Sequence, residues 1–171
     1  MYDLLLRKTG RFPPELTIAI SCATLLFVGF YLEYFENLTP CPLCLIQRLI
    51  YVSILLTNIS SYFLFSAARF RILFLYTSTF FSVLGVITAG RQVWLQHLPS
   101  DQVPECGPGV RYLLEVYPFQ KVLELIYLGS GSCAEILWEF LSLSIAGWSA
   151  IFFIFFLIYS LASAQRLYTS Q

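Results

Sequence analysis

Leu49–Ala68 (LIYVSILLTNISSYFLFSAA) and Ile72–Ala89 (ILFLYTSTFFSVLGVITA) are long apolar runs separated only by Arg69-Phe70-Arg71. Each approaches the ~20 residues that a helix needs to cross the hydrocarbon core of a bilayer. A connection of three residues leaves room only for an antiparallel helical hairpin. Two more apolar runs, about Leu16–Phe35 and Ile145–Ala164, lie on either side of this hairpin. The expected fold is an all-α membrane protein, a four-transmembrane-helix bundle that makes residues 1–171 a single membrane domain. Loops are expected over about 36–48 and 91–143.

Composition agrees. Only 12% of the residues are charged and 58% are hydrophobic, with a mean hydropathy of +0.74. Soluble domains carry about 25% charged residues, and one of this size could not hide so much apolar surface. Ten basic and ten acidic side chains cancel, so composition gives no support for nucleic-acid binding. Arg7, Lys8 and Arg11 resemble the basic start of a signal peptide, and Ala19-Ile20-Ser21-Cys22 resembles a lipoprotein cleavage box. The apolar run nevertheless continues past Cys22 through Ala23–Phe30, so the segment reads as a retained helix.

The basic residues of the short flanks set the orientation. Arg7, Lys8 and Arg11 precede the first span, Arg69 and Arg71 separate the second from the third, and Arg166 follows the fourth. The first connection has Glu36 and no basic residue before Arg48. Both termini and the middle turn are therefore expected on the cytoplasmic side, with the first and third connections together on the other. The third connection opens with loop signals, Pro99-Ser100-Asp101 and Cys106-Gly107-Pro108-Gly109. Beyond them, Tyr112, Leu113, Val116, Tyr117, Phe119, Val122, Leu123 and Ile126 mix with Glu115, Lys121 and Glu124. This pattern fits short interfacial helices lying on the membrane, or helices packed over the bundle mouth. Trp94, Trp148, Tyr31, Tyr34 and Tyr51 fall where an aromatic belt is expected. Phe152, Phe153, Phe155 and Phe156 read as lipid-facing or packing surface.

The five cysteines carry the chemistry. Cys22, in the middle of the first span, reads as an inert apolar thiol. The other four segregate, Cys41 and Cys44 into the first connection and Cys106 and Cys133 into the third. The topology, derived without any cysteine, puts all four on the non-cytoplasmic side, where disulfides form and persist. Cys41-Pro42-Leu43-Cys44 is a CxxC placed just before the second span. A helix starting there aims its N-terminal N–H groups at the sulfurs and stabilises the reactive thiolate. Arg48 follows Cys44 by one helical turn and shares its face. A cation at that depth is costly without a partner, which a thiolate or a reducible carbonyl compound could supply; Arg48 could also snorkel to the headgroups. A CxxC can be half of a zinc site, but Cys106 and Cys133 form no second CxxC, so no metal site is expected. Static loop staples are another reading, though a CxxC loop is too short to add much stability. His97, at the outer end of the third span, reads as a surface histidine whose range still permits proton handling.

Together these residues resemble a known family. Thr39-Pro40-Cys41-Pro42-Leu43-Cys44 with Gln47-Arg48 is similar to the first periplasmic loop of the disulfide bond formation protein B (DsbB) family. Gly90-Arg91-Gln92-Val93-Trp94-Leu95-Gln96 resembles the end of its third span. Cys106-Gly107-Pro108-Gly109 and Gly129-Ser130-Gly131-Ser132-Cys133-Ala134-Glu135, with Trp138 and Phe140-Leu141, resemble its second loop. The likeness covers roughly Thr39 to Trp148.

The resemblance implies a multi-pass bacterial inner-membrane thiol:quinone oxidoreductase that reoxidises a periplasmic thioredoxin-like dithiol oxidase of the DsbA type. The electrons pass to ubiquinone or menaquinone from the membrane pool. It implies that the partner's thiolate attacks Cys106, that Cys133 passes electrons to Cys41, and that Cys44 faces the quinone. Arg48 would polarise a quinone carbonyl beside the Cys44 thiolate. His97 does not align cleanly with a histidine near the quinone in some members. Four cysteines allow three pairings; the resemblance favours Cys41–Cys44 and Cys106–Cys133, with a transient Cys41–Cys133 link. A stapled, non-enzymatic membrane scaffold is the competing function, separable by whether its disulfides resist reduction. A vitamin K epoxide reductase type is disfavoured because its CxxC is expected late in the bundle.

Overall fold

A computed structural model of the chain describes residues 13–38, 40–64, 67–99, 102, 115–118, 120–121, 131–136 and 138–169. Cys106 and most of the segment expected to form surface helices lie outside them. Among the described residues, four helices are long and apolar enough to cross a membrane. They are α1 (Pro14–Phe35), α2 (Pro42–Leu64), α3 (Ala68–Gln96) and α5 (Ile145–Thr169). Between α3 and α5 lie a single turn, α4 (Gly131–Ala134), and a hairpin of β1 (Glu139–Phe140) and β2 (Leu143–Ser144). The chain is a multi-pass helical membrane protein.

The helix ends follow local chemistry and shift several expected boundaries. Proline opens both α1 and α2, the first-turn position where its missing N–H costs nothing. The second helix thus starts at Pro42 instead of Leu49, and Pro42–Arg48, expected as loop, forms its first two turns. The third starts at Ala68, so Arg69-Phe70-Arg71 is its first turn and not the link between helices; it then runs past Ala89 to Gln96. Hydropathy placed these ends too far inward because Gln47, Arg48, Arg71 and Gln92 are polar. Inside the bundle each of them has a partner. At the start of α5, Ser144 Oγ accepts the N–H of Gly147 at 3.2 Å, an N-cap bond.

Within the bundle α2 packs between α1 and α3, and α3 makes its broadest interface with α5. That interface closes at Gly85, where an added Cβ would stand 2.3 Å from the ring of Phe153. Small residues allow such close approach where no water drives helices together. Ile18, Cys22, Leu26, Ile54, Leu75, Phe153 and Phe156 form the core, while Phe27, Leu49, Leu56, Leu73, Phe80 and Ile158 stand exposed toward lipid. Tyr51 departs from the belt expectation. It is buried, stacked on Phe153 at 4.3 Å between ring centres, and its hydroxyl donates to Ser149 O at 3.4 Å.

Interhelical polar contacts complete the bundle. Asn58 Nδ2 donates to Ser78 Oγ at 3.0 Å, and Thr79 Oγ1 and Ser160 Oγ share a bond of 2.8 Å. Where α1 and α3 begin, Arg71 Nε and Nη2 donate to Glu15 Oε1 and Oε2, each at 2.9 Å, with both side chains buried.

Candidate functional site

The CxxC sits at the other end of the bundle. Cys41 immediately precedes α2, and its carbonyl accepts the N–H of Leu45 at 3.2 Å, so it is the N-cap residue. Its sulfur takes the capping role, accepting the N–H of Cys44 at 3.4 Å. The Cys41 thiol donates to Cys44 Sγ, 2.9 Å away. Cys44 is partly exposed, whereas Cys41 is buried.

Cys133 comes to the same place from the third connection. On α4, which packs against α3 and α2, it is fully buried in a small cluster with Cys41, Leu43 and Leu95. The Cys41 thiol is pushed well above the ordinary thiol range, first by its hydrogen bond with Cys133, then by that with Cys44, then by burial. Three sulfurs thus form a chain with Cys41 in the middle, while Cys22 lies apart in the bundle core.

Two glutamines lie beside this chain, one against the sulfurs and one behind it. Gln92, on α3, is buried and its Nε2 donates to Cys44 Sγ at 3.2 Å and to Cys41 Sγ at 3.4 Å. Its Oε1 accepts from Gln47 Nε2 at 2.7 Å. The pairing of positions 47 and 92 is tertiary, and no local pattern signals it.

Arg48 is not a lone cation. Its Nη1 is ion-paired with Glu33 on α1, its Nη2 donates to Gly29 O at 3.0 Å, and its guanidinium lies 4.9 Å from the Phe30 ring centre. The expected cost of an unpartnered charge is therefore met within the protein, and Glu33 is a site neighbour that sequence did not reveal. These contacts use two of the five guanidinium N–H groups, which leaves donors for a ligand.

A cavity of about 310 Å3 joins these groups. Cys44, Arg48, Glu33, Gln47 and Gln92 line its polar side, and Tyr51, Trp138, Phe140, Trp148 and Phe152 supply aromatic walls. The β1–β2 hairpin carries Phe140 to the cavity. Leu141 and Ser142 turn it with φ of 53° and 62°, Trp148 Nε1 donates to Phe140 O at 3.1 Å, and Ser144 Oγ donates to Gln96 Oε1 at 2.7 Å. His97 caps α3, exposed, with Nδ1 2.8 Å from Val93 O, and is not among the lining residues. A largely apolar, aromatic-walled pocket lined by one guanidinium and by both cysteines of the CxxC suits a planar carbonyl ligand, and the sulfur chain suits thiol–disulfide exchange.

Comparison with known proteins points the same way. The family model of disulfide bond formation protein DsbB matches residues 13–163. The chain is 40% identical over 158 residues to disulfide bond formation protein B of Marinobacter nauticus, covering 90% of this chain and 92% of that protein. Against its namesake in Hahella chejuensis the identity is 43% over 144 residues, 80% of this chain and 83% of the other. The Acinetobacter baylyi protein of the same name is 38% identical over 162 residues, 92% of each chain.

Proposed function

We propose, for a chain that belongs to the disulfide bond formation protein DsbB family, that it is a thiol:quinone oxidoreductase serving a DsbA-type periplasmic dithiol oxidase. The observation that carries this reading is the contact of buried Cys133 with Cys41, beside Cys44 at a cavity that also holds Arg48. One pair meets a water-soluble protein and the other meets a lipid-soluble acceptor, so the two reactions need not share a place.

Electrons move by exchange. A partner thiolate attacks Cys106 of a Cys106–Cys133 disulfide, and the electron pair of the broken bond goes to Cys133. Closure of the partner's own disulfide then releases Cys106. The Cys133 thiolate attacks Cys41 and the electron pair passes to Cys44. Cys106 then attacks Cys133 and restores their disulfide, the electron pair passing to Cys41. Cys41 and Cys44, left as a dithiol, would reclose their disulfide by giving two electrons and two protons to a quinone held in the cavity. Arg48 would hold a carbonyl oxygen through the N–H groups that Glu33 and Gly29 leave over, with Cys44 Sγ beside the ring. The aromatic walls exclude water and orient a flat ring.

The proposed setting is the bacterial inner membrane, with both termini cytoplasmic and the cysteines periplasmic. Exposed Arg69 and Arg166 support that orientation; Arg71, neutralised by Glu15, adds little. The test mixes purified protein with a reduced dithiol oxidase and a quinone and follows quinol formation. Stoichiometric quinol is expected, and its absence with both partners competent overturns the reading.

A further inference from the structure

Exchange at Cys41 drives an electron pair onto Cys44, so the groups that touch Cys44 decide how well it leaves. Three contacts converge there. Cys44 Sγ faces Cys41 Sγ at 2.9 Å, Gln92 Nε2 at 3.2 Å and, farther off, Gln92 Oε1 at 3.7 Å. Gln47 takes that Oε1 at 2.7 Å, which commits the carbonyl end of the amide and leaves its NH2 toward the sulfurs.

We propose that Gln92 is a catalytic residue for exchange between the two cysteine pairs, its amide N–H group holding the charge that develops on Cys44 as Cys133 attacks Cys41. Gln47 is the positioning residue that fixes the amide. The proposal rests on the relay described above and adds a leaving-group device to it. In the step, the Cys133 thiolate forms an S–S bond to Cys41, the Cys41–Cys44 bond breaks, and its electron pair stays on Cys44. No further oxidant is needed.

An amide suits this place. It donates to an anion without adding a charge that must itself be buried near the membrane, where an unpaired cation is expensive. It also reaches both sulfurs of the pair, at 3.4 Å and 3.2 Å, so it stays in contact as the charge moves. Preorganised donors aimed at developing charge cost no reorganisation during the reaction.

The experiment uses full-length protein in detergent, freed of quinone, with Cys106→Ser leaving Cys133 as the thiol that faces an oxidised Cys41–Cys44 pair. Acid quenching, alkylation and peptide mass spectrometry give the ratio of Cys41–Cys133 to Cys41–Cys44 linkage. Gln92→Leu should lower that ratio about tenfold at neutral pH, the scale of one hydrogen bond to a charged group. Gln92→Glu keeps the volume and the acceptor for Gln47 but puts an acceptor toward the sulfurs, so it should lower the ratio at least as far. Gln47→Leu, which frees the amide to turn, should fall between these and the parent. If Gln92→Leu fails to fold, Gln92→Glu decides. An unchanged ratio in the folded Gln92 variants overturns the inference and leaves the relay standing. No Cys41–Cys133 link in the Cys106→Ser parent overturns the relay and the inference together.

Discussion

Cys133 lies fully buried against Cys41, although the two come from different connections of the chain. A sulfur with no exposed surface cannot be reached by the thiolate of a folded partner, yet it can pass electrons to its neighbour. Entry should therefore be through Cys106, set among Pro104-Glu105 and Gly107-Pro108-Gly109, a stretch suited to extending into a groove. Cys133→Ser leaves Cys106 as a free thiol that attacks the disulfide of the oxidised partner, and with no Cys133 to resolve it the mixed disulfide through Cys106 should accumulate. Mass spectrometry of the cross-linked peptides identifies the joined residues. Equal trapping through Cys133 in Cys106→Ser would reverse the assigned direction of flow.

Arg48 and Glu33 should separate by kinetics. Arg48→Ala removes the cation that faces the cavity and should cost about 1.5–3 kcal/mol in kcat/KM for quinone, with dependence on the protein partner retained. Glu33→Gln keeps the guanidinium and releases an N–H from its ion pair, so the quinone KM should hold or fall. Steady-state rates with quinone varied decide this. Parallel losses in both variants would reduce the pair to a structural contact.

The four spans were legible because apolar runs of bilayer length leave few alternatives, and the cysteines because they segregate by connection. Boundaries were less so. Gln47, Arg48 and Gln92 look like reasons to end a span, and only their partners across the bundle make them helical. The hairpin escaped notice because its turn is Leu141-Ser142, both at positive φ, with none of the Gly or Asn that usually signals it. Tyr51 looked like a belt residue because core and interface tyrosines have the same sequence signature. Gln92 lay in a motif that carried the resemblance, but its contact with Cys44 exists only in three dimensions.

Gly85→Ala should loosen the α3–α5 interface. The new methyl group would stand 2.3–2.5 Å from the atoms of a fully buried Phe153 ring, and overpacking of this kind costs about 1–3 kcal/mol. Because Phe153 stacks on Tyr51, which lines the cavity, the quinone KM should rise as well. Thermal unfolding in detergent reads the first effect. Adding Phe153→Leu should recover part of the stability, and no recovery would place the strain elsewhere.

Cys22→Ala should leave turnover nearly intact, since Cys22 belongs to the bundle core and not to the sulfur chain. A loss beyond about tenfold, roughly 1.4 kcal/mol of barrier, would show that this thiol takes part. Quinol formation under saturating substrates is the measurement.

The ion pair of Glu15 and Arg71 should matter for stability and not for chemistry. It lies where α1 and α3 begin, while Glu33 near the end of α1 and Gln92 near the end of α3 belong to the cavity. At 1.5 Å of rise per residue these ends are about 27–32 Å apart, close to the thickness of the hydrocarbon core. Both oxygens of the carboxylate are gripped, and neither side chain is open to water. Glu15→Ala removes the carboxylate that balances a buried guanidinium, a change that typically costs about 3–5 kcal/mol. The melting temperature in detergent should drop accordingly, while kcat and KM of the fraction that remains folded should match the parent. The charge-reversed double variant Glu15→Arg with Arg71→Glu should regain part of the loss, because opposite charges again meet across the same interface. A melting temperature unchanged by Glu15→Ala would mean that water reaches this end of the bundle and that Arg71 counts fully among the charges that orient the chain.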